Sequence, residues 1–245
     1  MKKYFYDFHM HSCLSPCGDD DMTPSSACGV AKLAGLDIVA LTDHNSVKNC
    51  PAFFKAADFY GITPIAGMEL TTSEDIHVVC LFEELEAALD FDSDIQSHRM
   101  LIPNKVEVFG NQLIMDEDDN VIGIEENFLT NATDISIDNS LEFVSKYGGI
   151  CYPAHIDRES NGTIAILGTF PEYPNFLQAE FSDLQKVPEY LEKYPILKEK
   201  EIMFGSDAHY LLWIKDRMAF LELPEHESSK EIRAEVFRHL RGEGV

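Results

Sequence analysis

Residues 37–46 read DIVALTDHNS, an unbroken apolar run from Ile38 to Leu41 that carries the chain straight onto Asp43 and His44. A strand with no apolar/polar alternation is covered on both faces, the condition met in a parallel sheet with helices packed against it. The flanks agree. Upstream, Thr23 reads as an N-cap and Pro24 as a first-turn residue; Ala27, Val30, Ala31 and Ala34 keep helical spacing, and Gly35 stops the helix. Before that helix the aromatic run 4–8 reads as a strand feeding the polar loop 9–21. Downstream, a helix around 52–60 stops at Gly61 and leads to strands at 63–66 and 76–82.

The alternation continues with a helix at 140–147 ending at Gly148 and a strand at 149–153. Strands follow at 176–181 and 201–204 around a helix at 187–194, then one at 218–223 and an amphipathic helix at 229–240 with Ile232, Val236 and Leu240 on one face. Parallel βαβ units wrap right-handedly, and at this length they close most naturally into a barrel, an open doubly wound sheet being the competing arrangement. The pattern breaks between 95 and 134. There EVFGNQLIMDEDDNVIGIEENFL, residues 107–129, reads as a hairpin with its turn at 116–120. We read it as an insertion over about 96–133 at the rim of one domain covering 1–245, with no internal repeat or low-complexity linker.

Composition bounds the partners. The chain has 245 residues, with 19 Lys plus Arg against 43 Asp plus Glu, a formal charge of −24. Such an excess repels a polyanion, so the expectation is no long nucleic acid and no anionic membrane surface as partner. A hydrophobic share of 45% suits a folded chain. No apolar run approaches the roughly 20 residues that span a bilayer, and MKKYFYDFHMH lacks the features of a signal peptide, which points to the cytoplasm. Six cysteines, at 13, 17, 28, 50, 80 and 151, are spread too widely for a disulfide framework and read as reduced thiols.

The informative residues sit where the expected strands end. His9 and His11 follow the first strand, Asp43 and His44 the second, and Glu69 the third by a short turn; His77 lies within the fourth, His155 follows the fifth, and Asp207 and His209 close the set. In a parallel α/β barrel these ends share one face. Neutral imidazoles with carboxylates are the ligand set of Zn, Mn or Fe, so the pattern predicts a metal site. His98, His226 and His239 read as solvated or packed side chains.

Six segments resemble the PHP domain (polymerase and histidinol phosphatase) family of metal-dependent phosphoesterases: DFHMHS at 7–12, LTDHNS at 41–46, GMEL at 67–70, the His77 strand, PAH at 153–155 and GSDAH at 205–209. The resemblance implies a distorted (β/α)7 barrel holding two or three divalent ions. By its pattern one ion takes His9, His11, Glu69 and Asp207; a second shares Glu69 and adds His77 and His155; a third takes His44 and His209 with a ligand from the loop HSCLSPCGDDD. Cys17 stands at the matching offset, with Asp19 and Asp21 as alternatives.

No nucleophile elbow, Walker loop or cysteine protease signature offers a covalent route, so a metal-activated water is the expected nucleophile. The resemblance to amidohydrolases suggests Asp207 as the residue that orients it or takes its proton. Arg158 is the best placed cation for a phosphate, Asp7 and Asp43 are expected to orient ligands, and Asn45 to line the pocket. The leading expectation is hydrolysis of a phosphoester of a small molecule or short nucleotide. Hydrolysis at carbon by the same metals and a metal-binding accessory module without turnover are the alternatives.

Overall fold

The structure, a computed structural model, describes residues 1–243. It begins with β1 (Lys2–Met10), α1 (Pro24–Leu33), β2 (Ile38–Leu41), α2 (Cys50–Tyr60) and β3 (Thr63–Thr71). Thr23 caps α1 by accepting the Ser26 N–H, and α2 stops at Gly61, whose φ of 65° needs a residue without a Cβ. β1, β2 and β3 pair in parallel. Then β4 (His77–Phe82) runs back along β3, antiparallel, with Thr71 opposite His77. Residues 72–76 are too few for the crossover that a parallel connection demands.

After α3 (Leu85–His98) comes the segment read from sequence as an insertion, with a short α4 (Val106–Phe109) and the antiparallel pair β5 (Leu113–Met115) and β6 (Val121–Ile124). The chain continues through α5 (Ile137–Ser145), β7 (Ile150–Pro153), α6 (Thr163–Leu167), β8 (Gln178–Phe181), α7 (Val187–Lys193), β9 (Glu201–Phe204), β10 (Ala219–Leu223) and α8 (Ser229–Leu240). The fold is mixed α/β, with a strongly curled six-stranded sheet in the order β10-β1-β2-β3-β4-β7 and a separate parallel pair, β8 and β9.

A closed barrel of seven parallel strands is therefore not what the ladder shows, because β4 and β10 run antiparallel to their neighbours and the pairing is continuous over six strands only. Loop backbone bridges the gap at one rim: Ile156 N–H donates to the Glu180 carbonyl at 2.9 Å, and Asp207 N–H to the His9 carbonyl at 2.8 Å.

Two apolar clusters cover the sheet. On one face Val39, Leu41, Met68 and Val78 pack against residues of α1, α2, α3 and α5; on the other Tyr6, Phe8, Ile65 and Val79 pack against Val236, Phe237 and Leu240 of α8. One residue too many on β1 sets the site. Its pairing with β2 runs Asp7↔Val39 and then Met10↔Leu41, so a bulge slips the alternation. Phe8 belongs to the α8 cluster and Met10 to the opposite one, which leaves His9 and His11 on the face that Tyr4, Tyr6 and Phe8 occupy lower down.

No helix among the described residues is long and apolar enough to cross a membrane. All six cysteines are free, and only Cys17 is exposed. Phe237 is fully buried whereas Leu33 is 88% exposed. Phe237→Ala is expected to lower the unfolding free energy by about 3–5 kcal/mol in urea denaturation, with Leu33→Ala within about 0.5 kcal/mol of wild type.

Candidate metal centre

The bulge in β1 and the reversal of β4 bring distant residues to one rim. Glu69 does not follow its strand: β3 runs on to Thr71, and Glu69 lies inside it opposite Val79. Two residues earlier, Gly67 leaves no room for a side chain, since a Cβ there would stand 2.7 Å from Thr42 Cγ2 and 2.8 Å from the Cys80 carbonyl. His77 is the first residue of β4, and the reversal places that first residue at the rim where the parallel strands finish.

Glu69 is fully buried among five imidazoles. Its Oε1 lies 2.8 Å from His77 Nδ1, 3.0 Å from His155 Nε2 and 3.3 Å from His9 Nε2. Its Oε2 lies 2.9 Å from His44 Nδ1 and 3.3 Å from His11 Nε2. Asp207 Oδ1 stands 2.9 Å from His11 Nε2 and 3.4 Å from His9 Nε2.

Hydrogen bonds behind the rings decide which nitrogens keep their lone pairs. The Ser15 hydroxyl donates to Asp43 Oδ1 at 2.7 Å, so it accepts from His11 Nδ1–H at 2.9 Å. Glu180 Oε1 accepts from His9 Nδ1–H at 2.8 Å and from the His155 N–H at 3.0 Å. His209 Nδ1–H donates to the Asp207 carbonyl at 2.9 Å. The Nε2 atoms of His9 and His11 then face one another at 3.2 Å as two acceptors, beside two carboxylates. Such a set is mutually repulsive unless a proton or a cation stands between its members.

His77 Nε2, His155 Nδ1 and His209 Nε2 are buried without a hydrogen-bond partner, and the 2.9 Å contacts of Glu69 Oε2 with His44 Nδ1 and of Asp207 Oδ1 with His11 Nε2 lack hydrogen-bond alignment. The donor set therefore fits divalent cations. Three groups have ligand atoms mutually within 4.8 Å: His9, His11, Glu69 and Asp207; His11, His44 and His209; and His44, Glu69 and His77. His155 is outside these groups, although its ring touches Glu69.

The loop 12–21 contributes less directly. Cys17 belongs to none of the three groups, but its thiol lies 3.3 Å from His44 Nε2. Asp19 accepts from the Asp21 N–H and Asp21 is exposed. Arg158 pairs with Asp207 Oδ2 rather than with its sequence neighbours Asp157 and Glu159. Asp43 accepts from Ser12 N–H, Ser12 Oγ and Ser15 Oγ, which saturates it as a clamp on this loop. Asp7 accepts from the N–H groups of His9 and Ser206. Asn45 does not line the cavity: its amide donates to the Leu129 and Asn131 carbonyls and its carbonyl accepts from Thr71 N–H, tying the insertion to β3.

Sequence reasoning missed Glu180. The signal was available as a carboxylate inside the otherwise buried strand QAEF. It also missed why GSDAH begins with glycine: a Cβ at 205 would stand 2.4 Å from Glu180 Oε2 and 2.7 Å from His9 Cβ. Asn45, His155 and Asp207 have positive φ values of 44°, 27° and 50°. Strain of this kind costs about 1–3 kcal/mol per residue and collects where geometry is held for function.

Charges polarise the cluster. Burial opposes charging of His11, but Asp207 and Glu69 outweigh it and raise the ring from 6.5 to about 9. Burial pushes His44 down to about 4 and His209 to about 3, aided by the charge on His11. Against burial, the surrounding imidazoles hold Glu69 and Asp207 well below the ordinary carboxylate range. A cavity of about 440 Å3 opens over the cluster, walled by Arg158, Thr130, Tyr210 and Trp213.

A bulge, a reversed strand and a sterically required glycine thus gather, within an α/β fold, a donor set that fits divalent cations. The chain belongs to the PHP domain family, whose profile matches residues 7–194. An uncharacterized protein of Methanocaldococcus jannaschii is 28% identical over 99 residues, 37% of this chain and 58% of that one.

Among solved structures, the lesion-specific endonuclease Q of Pyrococcus furiosus superposes with a TM-score of 0.69 at 15% identity, over 99% of this chain and 57% of that one. This chain thus spans little more than half the length of those two relatives. A protein of Bifidobacterium adolescentis assigned provisionally to the metal-dependent phosphoesterases gives 0.58 at 16% identity, over 96% of each chain. Endonuclease Q has also been solved with a 27-mer duplex carrying an abasic lesion at its active site. That complex overturns the exclusion of long nucleic acid drawn from the charge of −24. Net charge is a sum over the whole surface, whereas a duplex meets a local field that bound cations reverse.

In metal-free protein the stability from His11 is complete below its unfolded value of 6.5 and is lost as pH rises through about 9. His44 and His209, held neutral, lose stability as pH falls below 6.5. Thermal unfolding with chelator should therefore peak between these windows and decline on both sides. Saturating Mn should raise the melting temperature and flatten the alkaline decline, because ligation needs neutral imidazoles; an unchanged alkaline limb would contradict this picture.

Proposed function

We propose that this chain is a metal-dependent hydrolase of phosphoesters, acting through two or three divalent ions. The observation that supports it most is the cluster of buried imidazoles and carboxylates, several without a hydrogen-bond partner, beneath a cavity with one guanidinium in its wall. Its ligands are His9, His11, His44, Glu69, His77, His155, Asp207 and His209, with Cys17 completing the position beside His44. Nitrogen and oxygen donors with a single thiol suit Zn, Mn or Fe. Divalent ions held there supply Lewis acidity that brings a water's pKa toward neutrality and offsets charge on the phosphate.

The chain's own groups do the rest. Arg158 offers paired N–H donors to non-bridging oxygens of the phosphate, and its bond to Asp207 holds it ready. Asp207 takes a proton from the attacking water as the water oxygen bonds to phosphorus; the bond from phosphorus to the leaving oxygen breaks, and Asp207 returns the proton to that oxygen. Glu180 and Ser15 keep Nδ1 of His9 and His11 protonated, so that Nε2 remains a ligand atom. The likeness to endonuclease Q supports including nucleic-acid phosphodiesters among the substrates tested, beside small phosphomonoesters and nucleotides.

The test is a phosphoester panel, from glycerol phosphate through mononucleotides to duplex oligonucleotides, assayed with the Mn- and Zn-loaded chain. Hydrolysis of at least one class is expected, and none with either metal would refute the proposal. His9→Ala and Asp207→Ala should lose activity by at least about a hundredfold with bound metal reduced in elemental analysis. Arg158→Ala should mainly raise KM while metal content stays normal, and Glu180→Gln should weaken metal binding about 10–100-fold. Full metal occupancy and rate in His9→Ala would sink the assignment.

A further inference from the structure

A second and larger cavity adjoins the one over the histidines. Its volume is about 890 Å3, and the two share Cys17, Thr130 and Tyr210 as a common wall. The far side comes from the insertion: Val108 and Phe109 of α4, and Phe128 beyond β6. The Phe109 and Phe128 rings pack with centroids 4.2 Å apart and planes at 31°, yet Phe109 is still 40% and Val108 64% exposed. Apolar surface left open beside a polar site marks a place where ligand contact recovers what folding did not bury. The lining also includes Asp19 and Asp20, whose carboxylates accept from Asp21 N–H and the Asn111 amide through one oxygen each and keep the other.

We propose that this second cavity is the subsite for a nucleobase, whose phosphate lies in the histidine-lined cavity on the other side of Tyr210. The orientation rests on the phosphoester reading given above. Planar rings stack on Phe109, Phe128 and Tyr210 whatever their edges carry, and the acceptors favour a base with an exocyclic amino group. The same carboxylates repel a phosphate. An amphipathic ligand of this kind is therefore sorted by charge, its ring going to the insertion and its anion to the cavity that holds Arg158 and the metal ligands.

The molecule carries its own reporter. Trp213, the single tryptophan, packs on Tyr210 with ring centroids 4.5 Å apart and lines the histidine cavity. The intact chain, with and without Mn, is titrated with adenosine, adenosine 5′-monophosphate and ribose 5-phosphate by calorimetry and Trp213 fluorescence. Adenosine should bind without metal. Phe109→Ala should weaken adenosine and the nucleotide about tenfold and leave ribose 5-phosphate unchanged. Val108→Trp, which narrows the cavity, should weaken adenosine and the nucleotide and leave ribose 5-phosphate unchanged, read by calorimetry. Absence of adenosine binding, or equal effects of Phe109→Ala on nucleotide and sugar phosphate, would overturn the subsite. Adenosine binding that depends on Phe109, in a chain that hydrolyses no phosphoester, would uphold the subsite while overturning the hydrolytic reading.

Discussion

Glu69 is a carboxylate with no access to water, and five imidazoles lie within 3.3 Å of its two oxygens. Burying a charge is tolerable only where opposite charge or dense hydrogen bonding compensates it, and here the compensating groups arrive from β1, β2, β4 and β7. The sheet topology can be read as the solution to that electrostatic problem. β4 has to run backwards for His77 to reach Oε1, and β1 has to bulge for His9 and His11 to lie on the face that Tyr6 and Phe8 occupy.

A layer of protein groups stands behind those ligands. Asp43 fixes Ser15, which fixes His11, while Glu180 fixes His9 through its side chain and His155 through its backbone. Each contact removes a rotational or tautomeric choice. The ring orientation that presents Nε2 is thereby set by the folded chain itself. The bond from Arg158 to Asp207 extends the network to the wall of the cavity.

Much of this was legible in the sequence because strand ends announce themselves: DIVALT before Asp43 and His44, and the apolar run before GSDAH. The α1 boundaries were also readable from Thr23, Pro24 and Gly35. The direction of β4 was not read, although the five-residue link from Thr71 to His77 contains it in its length. α3 was missed because its apolar residues, among them Ala88, Phe91 and Ile95, are diluted by acidic ones. Glu180 and Asn45 act through partners 171 and 84 residues away, and no local pattern encodes such a contact. The charge reading failed for a different reason, since a whole-chain sum holds no information about where the charges sit.

The insertion is sewn to the sheet at its stem. Asn49 donates to the Leu113 carbonyl and accepts from Met115 N–H, Leu113 N–H donates to the Cys13 carbonyl, and Asn45 holds the carbonyls of Leu129 and Asn131. β5 and the C-terminal end of the insertion are thus pinned to the same loops that carry His11 and His44. The rim above the buried histidines is accordingly braced from below, its hydrogen bonds shared with the very loops that hold the rings in place.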